Sequence, residues 1–263
     1  MKRNTIKLLQ NYKFKKKIIC LTAYSSPIAK IIDKYVDIIL IGDSLGSVVY
    51  GMKNTQGVTL DIMINHGKAV VNSSKKALTI IDMPYQTYKN KKEALVNAKK
   101  IIKYTKCQSV KLETNYNDLE TVKFLTENNI NVISHIGVTP QKFKNFSKIR
   151  SVGKTINEQN KIFNLAIQLE KAGSKMIVLE CIKEVLAKKI SKHLKIPTIG
   201  IGASKDCDGQ VLVIDDILNL ANSEKKPKFV KSYTNLNIII EKAVKKYSSE
   251  VINKKFPNSK NTY

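Results

Sequence analysis

Asp43, Asp82 and Glu113 each close a short apolar run: Val36-Asp37-Ile38-Ile39-Leu40-Ile41-Gly42-Asp43, Thr79-Ile80-Ile81-Asp82 and Val110-Lys111-Leu112-Glu113. Runs this short and this rich in branched residues read as buried parallel strands. A carboxylate at the end of such a strand stands on the rim of a sheet, where α/β proteins place their ligands. A single one is accounted for by a helix cap. Three in succession predict convergence, because neighbouring strands lie only about 4.7–4.9 Å apart. Crowded carboxylates repel and raise one another's pKa. A hard divalent cation with oxygen ligands relieves that repulsion, and Mg²⁺ suits the donor set better than Zn²⁺.

Lys111 alternates with Glu113 along one strand, so the two side chains face the same side. An ammonium there is placed to hold a substrate carboxylate or an enolate oxygen. Val132-Ile133-Ser134-His135 and Met176-Ile177-Val178-Leu179-Glu180 repeat the strand-end plan with a histidine and a fourth carboxylate. The apolar strand before Glu180 should partly desolvate it and favour a general base. His135 competes for that role, because imidazole accepts a proton near neutral pH. His66 and His193 fall inside helical patterns, and Cys181 should face away from Glu180 as a packing residue. A cation, a lysine and a carboxylate base together suit proton removal beside the carbonyl of a 2-oxo acid.

The elements that must position these residues alternate along the chain. A lead-in helix is expected over 4–15, with Ile6, Leu8 and Leu9 turned inward. Strands are expected at 18–24, 36–41, 77–83, 109–113, 130–136, 176–181, 196–201 and 210–214. Helices are expected from Ser26-Pro27, with Ser26 as cap, and over 59–72, 91–104, 118–128, 158–171, 185–194 and 236–252. About eight strand–helix alternations with short connections predict a single (β/α)₈ barrel over 1–263, with a loose polar tail over 255–263. A doubly wound sheet would want a glycine-rich loop after the first strand, and Thr22-Ala23-Tyr24-Ser25-Ser26-Pro27 offers none.

The 263 residues carry a net charge of +25, with 43% hydrophobic and 25% charged residues. Arg3 and Arg150 are the only arginines. Base readout and phosphate forks favour arginine, so an excess made of lysine on outward helix faces argues against nucleic acid as partner. No apolar stretch reaches membrane-spanning length, and no signal-peptide pattern opens the chain. Cys20, Cys107, Cys181 and Cys207 are scattered, which fits reduced thiols and a cytoplasmic location.

The ordered motifs go further. Leu21-Thr22-Ala23-Tyr24, Gly42-Asp43-Ser44-Leu45-Gly46, Asp82-Met83-Pro84-Tyr85 and Val110-Lys111-Leu112-Glu113 come first. His135-Ile136-Gly137-Val138-Thr139-Pro140, Val178-Leu179-Glu180-Cys181, Ile196 to Ala203 and Asp208-Gly209-Gln210-Val211 follow. Together they resemble the ketopantoate hydroxymethyltransferase family over about residues 5–254. The resemblance implies a barrel of the phosphoenolpyruvate/pyruvate type, Mg²⁺-dependent and homodecameric. It implies transfer of a one-carbon unit from 5,10-methylenetetrahydrofolate to 3-methyl-2-oxobutanoate, giving 2-dehydropantoate in pantothenate biosynthesis. By matching position, Asp43, Asp82 and Glu113 would take the metal. Asp43, Ser44, Asp82, Lys111 and His135 would surround the 2-oxo acid, and Glu180 would be the proton acceptor.

Ser25, Val152 and Ser204 depart from the family's usual residues. Two other readings use the same residues differently. A Mg²⁺-dependent 2-oxo-acid lyase or aldolase would share the barrel, metal and enolate, but such lyases often carry a reactive-cysteine loop, and Ser44–Gly57 has no cysteine. A basic, non-enzymatic nucleic-acid-binding protein would gather its lysines on one face and bind in a strongly salt-dependent way.

Overall fold

The apolar runs fold, in the computed structural model, into eight strands: β1 Ile18–Thr22, β2 Ile38–Ile41, β3 Leu78–Asp82, β4 Ser109–Glu113, β5 Val132–Gly137, β6 Met176–Glu180, β7 Thr198–Ile201 and β8 Gly209–Leu212. Residues 2–144, 150–220 and 227–263 are described. Every strand pairs in parallel with its sequence neighbours, and β8 closes on β1. The chain separates into two compact units, Met1–Val213, which holds the barrel, and Ile214–Tyr263.

Alternation sets which side chains fill the barrel. The inward cluster includes Ile18 and Cys20 of β1, Ile38 and Leu40 of β2, Leu78 and Ile80 of β3, Ile133 of β5, and Met176 and Val178 of β6. Two residues further along the same rows stand Asp82, His135 and Glu180. The rows are therefore apolar where they begin and polar where they end, and that switch builds the site. Lys111 lines a small internal cavity with Leu40, Ile80 and Val178, so it marks the boundary between the two regimes.

Outside the strands, the local signals decide the element ends. Thr59 caps Leu60–Ser73 by accepting from the Ile62 N–H at 3.3 Å. Thr155 and Glu158 form a reciprocal capping box that starts the helix Ile156–Lys171. Gly173 ends it at a φ of +95°.

Several expectations need correction. The lead-in helix spans only Ile6–Gln10, and so short a helix buries one narrow face: Leu9 is buried while Leu8 points outward. Ser25 rather than Ser26 holds the cap position before Ser26–Ile32. The last strand stops at Leu212, and Ile214 opens a short helix to Leu218. The strand–helix cadence also lapses once: β7 passes to β8 through residues 202–208 without a helix. On the outer wall nearby, Ile19 of β1 is half exposed.

In the second unit, Leu236–Ile252 forms a 17-residue helix with no buried residue. No helix among the described residues is long and apolar enough to cross a membrane. All four cysteines are free thiols. Lys99, Lys103, Lys188, Lys189 and Lys192 are exposed on their helices.

Candidate active site

The register of the barrel explains how the predicted residues meet. Asp82 pairs across from Lys111, Glu113 from His135, and Gly137 from Glu180. Partners in register on parallel strands point to the same side, so the inward row climbs from one strand to the next around the rim. Asp43 follows β2 by two residues, and its N–H donates to Asp82 Oδ2 at 3.1 Å. Gly42 makes room for this approach, since a β-carbon there would lie 2.9 Å from Ser44 Oγ.

Asp43, Asp82, Lys111, Glu113 and His135 are all buried. Lys111 Nζ stands 3.0 Å from Asp82 Oδ1 and 3.5 Å from His135 Nδ1. His135 Nδ1 lies 3.8 Å from Glu113 Oε1, and its Nε2 lies 3.2 Å from Glu180 Oε2. The latter contact is short but poorly aligned, and Nε2 makes no regular hydrogen bond. An ammonium only donates, so its approach to Nδ1 leaves the neutral ring's proton on Nε2, facing Glu180.

Electrostatics follow from burial. Desolvation, with Asp82 adding its charge, pushes the Asp43 carboxyl up to about 7. Desolvation and the charge of Asp43 raise Glu113 well above the usual carboxylate range. Burial alone would lower Lys111, but Asp82, Asp43 and Glu113 outweigh it and push the ammonium's pKa up. Desolvation and the Lys111 charge lower His135, which keeps the imidazole neutral. Glu180 differs from these groups: its side chain retains 16% exposure at the end of β6.

Glu180 is fixed through its backbone. Its carbonyl accepts from the Val138 N–H at 2.9 Å, and Cys181 N–H donates to Ile201 O at 2.9 Å. Gly137, at φ +102°, allows this crossing, because a β-carbon there would meet the Glu180 carbonyl oxygen at 2.2 Å. The Cys181 thiol is pushed up to about 12 by burial and by Glu180, so it is inert as a nucleophile.

Three participants went unrecognised in the sequence. Gln141 is buried in a single turn after β5, where its side chain reaches Asp43 and its N–H reaches Glu113. The Tyr88 hydroxyl donates to Gln141 Oε1. The Tyr24 hydroxyl meets Ser44 Oγ at 2.8 Å. Neither Gln141 nor Tyr88 ends a strand, so the rule that found the carboxylates passes over them. The unusual positions have local roles: Ser204 Oγ accepts from the Asp206 N–H, Val152 bridges to Ile182, and Ser25 caps its helix by position alone.

The donor set suits a hard divalent cation in chemistry. It offers oxygen only, two carboxyls whose ionised forms are disfavoured by burial and mutual charge, and an Asp82 whose Oδ1 is met by the Lys111 ammonium at 3.0 Å. Among the described residues, though, no three acidic, histidine or cysteine side chains are gathered into a ready cluster. Asp82 leans to Lys111, and Asp43 and Glu113 lean to Gln141.

Solved structures similar to this chain share its fold. Phosphonopyruvate hydrolase, in a complex with oxalate and Mg²⁺, aligns with a TM-score of 0.62 at 10% identity, over 98% of this chain and 93% of that one. 2,3-Dimethylmalate lyase, a member of the PEP mutase/isocitrate lyase superfamily, aligns with 0.59 at 12% identity, over 79% and 76%. What these structures share with the chain is the parallel (β/α)₈ barrel. Sequence relatives are far nearer. The 3-methyl-2-oxobutanoate hydroxymethyltransferase of Pelagibacter ubique is 50% identical over 95% of this chain and 96% of its own length. That of Rhizobium etli is 45% identical over 100% and 96%. A sequence model described as ketopantoate hydroxymethyltransferase matches residues 3–259. The chain belongs to the ketopantoate hydroxymethyltransferase family and is a transferase of ketopantoate formation in pantothenate biosynthesis.

Proposed function

We propose that the hydroxymethyl donor is 5,10-methylenetetrahydrofolate, that Asp43, Asp82 and Glu113 hold Mg²⁺, and that Glu180 is the base that opens the reaction. The observation that supports this reading is the division made by His135. On one side lie a buried ammonium and three buried carboxylates, and on the other a partly open carboxylate 3.2 Å away. The whole chain, 1–263, serves this one activity as a cytoplasmic homodecamer.

The Glu180 carboxylate takes the proton from C3 of 3-methyl-2-oxobutanoate, and the electron pair moves onto the C2 carbonyl oxygen. Lys111 stabilises that oxygen, and Ser44 and Asp82 orient the acid. A cation at the three carboxylates would supply Lewis-acid stabilisation of the same developing charge. C3 then forms its bond to the one-carbon unit, and water supplies the oxygen of the new hydroxymethyl group as tetrahydrofolate leaves. His135, neutral with its Nε2 3.2 Å from Glu180 Oε2, lines the pocket beside the base rather than accepting the proton itself.

Loss of the C3 proton signal in D₂O, followed by NMR, tests the reading. Exchange should require Mg²⁺ and stop in EDTA-stripped protein. Undiminished exchange without the cation would remove Mg²⁺ from the proposal. Sedimentation as a stable monomer at micromolar concentration would remove the decamer.

A further inference from the structure

We infer that Gln141 positions Asp43 and Glu113 for the cation, and that Tyr88 fixes the Gln141 amide for that task. The inference rests on the cation site proposed above and names residues that site did not include.

Gln141 is 2% exposed and uses its polar atoms fully. Its backbone N–H is shared between Glu113 Oε1 at 3.3 Å and Oε2 at 3.1 Å. Its Nε2 donates to Asp43 Oδ2 at 2.7 Å and to the Met83 carbonyl at 3.0 Å. Its Oε1 accepts from the Tyr88 hydroxyl, and its backbone carbonyl accepts from Gln56 Nε2 at 2.8 Å. The orientation of the amide is settled by this pattern. The Met83 carbonyl only accepts, so the NH₂ end must face it and Asp43, and the oxygen end must face Tyr88.

The residue type fits the task. Asp43, held by the Gln141 amide through Oδ2, presents Oδ1 to a ligand. A lysine at this position would compete with a cation, and a glutamate would add to the repulsion between Asp43 and Glu113. A neutral amide supplies a donor without charge, so the side chain holds Asp43 without competing with a cation, while the backbone N–H of the same residue holds Glu113. Gln56 extends the arrangement to the Thr55–Gly57 turn, in the loop that leaves the barrel at Asp43 and Ser44. Groups that hold metal ligands in this way typically matter by about 10–100-fold in affinity.

Two variants test this: Gln141→Met, which keeps the length and the backbone N–H to Glu113 but removes the side-chain donors to Asp43 and Met83, and Tyr88→Phe, which removes only the orienting hydroxyl. Mg²⁺ binding to EDTA-stripped protein is measured by calorimetry, and Mn²⁺ binding by EPR. Gln141→Met should weaken Mg²⁺ about 10–100-fold, and Tyr88→Phe should weaken it by a smaller factor, both with thermal transitions that remain cooperative. In both, the C3 exchange rate should recover when Mg²⁺ is raised, which a purely structural defect would not allow. A folded Gln141→Met protein that binds Mg²⁺ within about twofold of the parent overturns the inference and leaves the cation site standing. If Gln141→Met does not fold, Tyr88→Phe decides by the same criterion. A parent protein that binds neither Mg²⁺ nor Mn²⁺ overturns the cation reading and this inference with it.

Discussion

Among the described residues, two buried lysine–aspartate pairs lie at opposite ends of the barrel, and they are built differently. Lys13 and Asp208 meet at 2.6 Å where the strands begin. There, Asp208 Oδ2 also accepts from the Thr198 N–H at 2.8 Å and the Thr198 hydroxyl at 2.9 Å, while Lys13 donates to Ser191 O. Lys111 and Asp82 meet at 3.0 Å where the strands end, beside two more buried carboxyls, and Asp82 Oδ1 takes no aligned hydrogen bond. The first pair is closed: charge and hydrogen bonds are balanced within it. The second is crowded: one ammonium faces three buried carboxyls, two of which are pushed toward their protonated forms, and perturbed groups of this kind gather at functional sites. A buried ion pair is thus no sign of function in itself; what distinguishes the two is how completely each is satisfied.

The largest break expected in this contrast is at the open end. Glu180→Gln keeps the shape of the side chain and removes the proton acceptor, so C3 exchange should fall by about 10²–10⁴. The melting temperature should hardly move, because Glu180 is partly exposed and its backbone bonds remain. If Glu180→Gln exchanges at the parent rate while His135→Asn does not, His135 is the base. At the closed end the signature reverses. Lys13→Met strands a buried carboxylate, which typically costs about 3–5 kcal/mol of stability. The folded fraction should still exchange the C3 proton at the parent rate, measured per folded molecule by combining denaturant titration with the NMR assay.

The two ends also differ in how far the sequence discloses them. Asp82, His135 and Glu180 could be read directly, because each ends an inward row whose earlier members are apolar, and a row of period two is visible in one dimension; Glu113 shares its inward row with Lys111 and is read from the strand end alone. Gln141 is invisible to that rule. It lies beyond its strand in a single turn, and its importance comes from contacts to residues 28 and 98 positions away. Lys13 is likewise one lysine among many until the fold buries it against Asp208. The barrel was legible because alternating strands and helices carry strong local patterns. Exact ends were not: the lead-in helix is shorter than its apolar pattern, and the last strand stops at Leu212 short of its expected end.

The surplus charge at the open end predicts a pH dependence for EDTA-stripped protein. The Asp43 carboxyl titrates at about 7 in the fold against 3.8 ordinarily. Between these values the folded chain retains a proton that the unfolded chain has released. The unfolded state therefore binds fewer protons, and stability must fall as pH rises through the window, with Glu113, raised in the same direction, adding to the fall. The slope for one such group is at most about 1.4 kcal/mol per pH unit. Mg²⁺ affinity should rise over the same interval, since the ligand must shed its proton to bind. Stability that is flat from pH 4.5 to 7 in EDTA, measured by urea titration, would show that Asp43 is ionised throughout.

The smallest effect sharpens the comparison most, because it asks whether the closed end is redundantly satisfied. Thr198→Val preserves shape and removes one hydroxyl. That hydroxyl donates to Asp208 Oδ2, accepts from the Asp208 N–H at 3.3 Å, and meets Ser191 Oγ at 2.7 Å. Asp208 keeps Lys13 and the Thr198 N–H, so its charge stays paired. Ser191 keeps its own bond to the Ala187 carbonyl at 2.8 Å. What remains is the net worth of a hydrogen bond to a charged group, about 1.5–3 kcal/mol, reduced by the two donors that stay in place. A loss near the lower end of that range is expected, below the cost of Lys13→Met, with C3 exchange and Mg²⁺ affinity unchanged. A loss as large as that of Lys13→Met would mean that the hydroxyl rather than the ammonium holds Asp208. A change in Mg²⁺ affinity would mean that the two ends of the barrel are coupled through β7, and the division between a closed end and an open one would have to be given up.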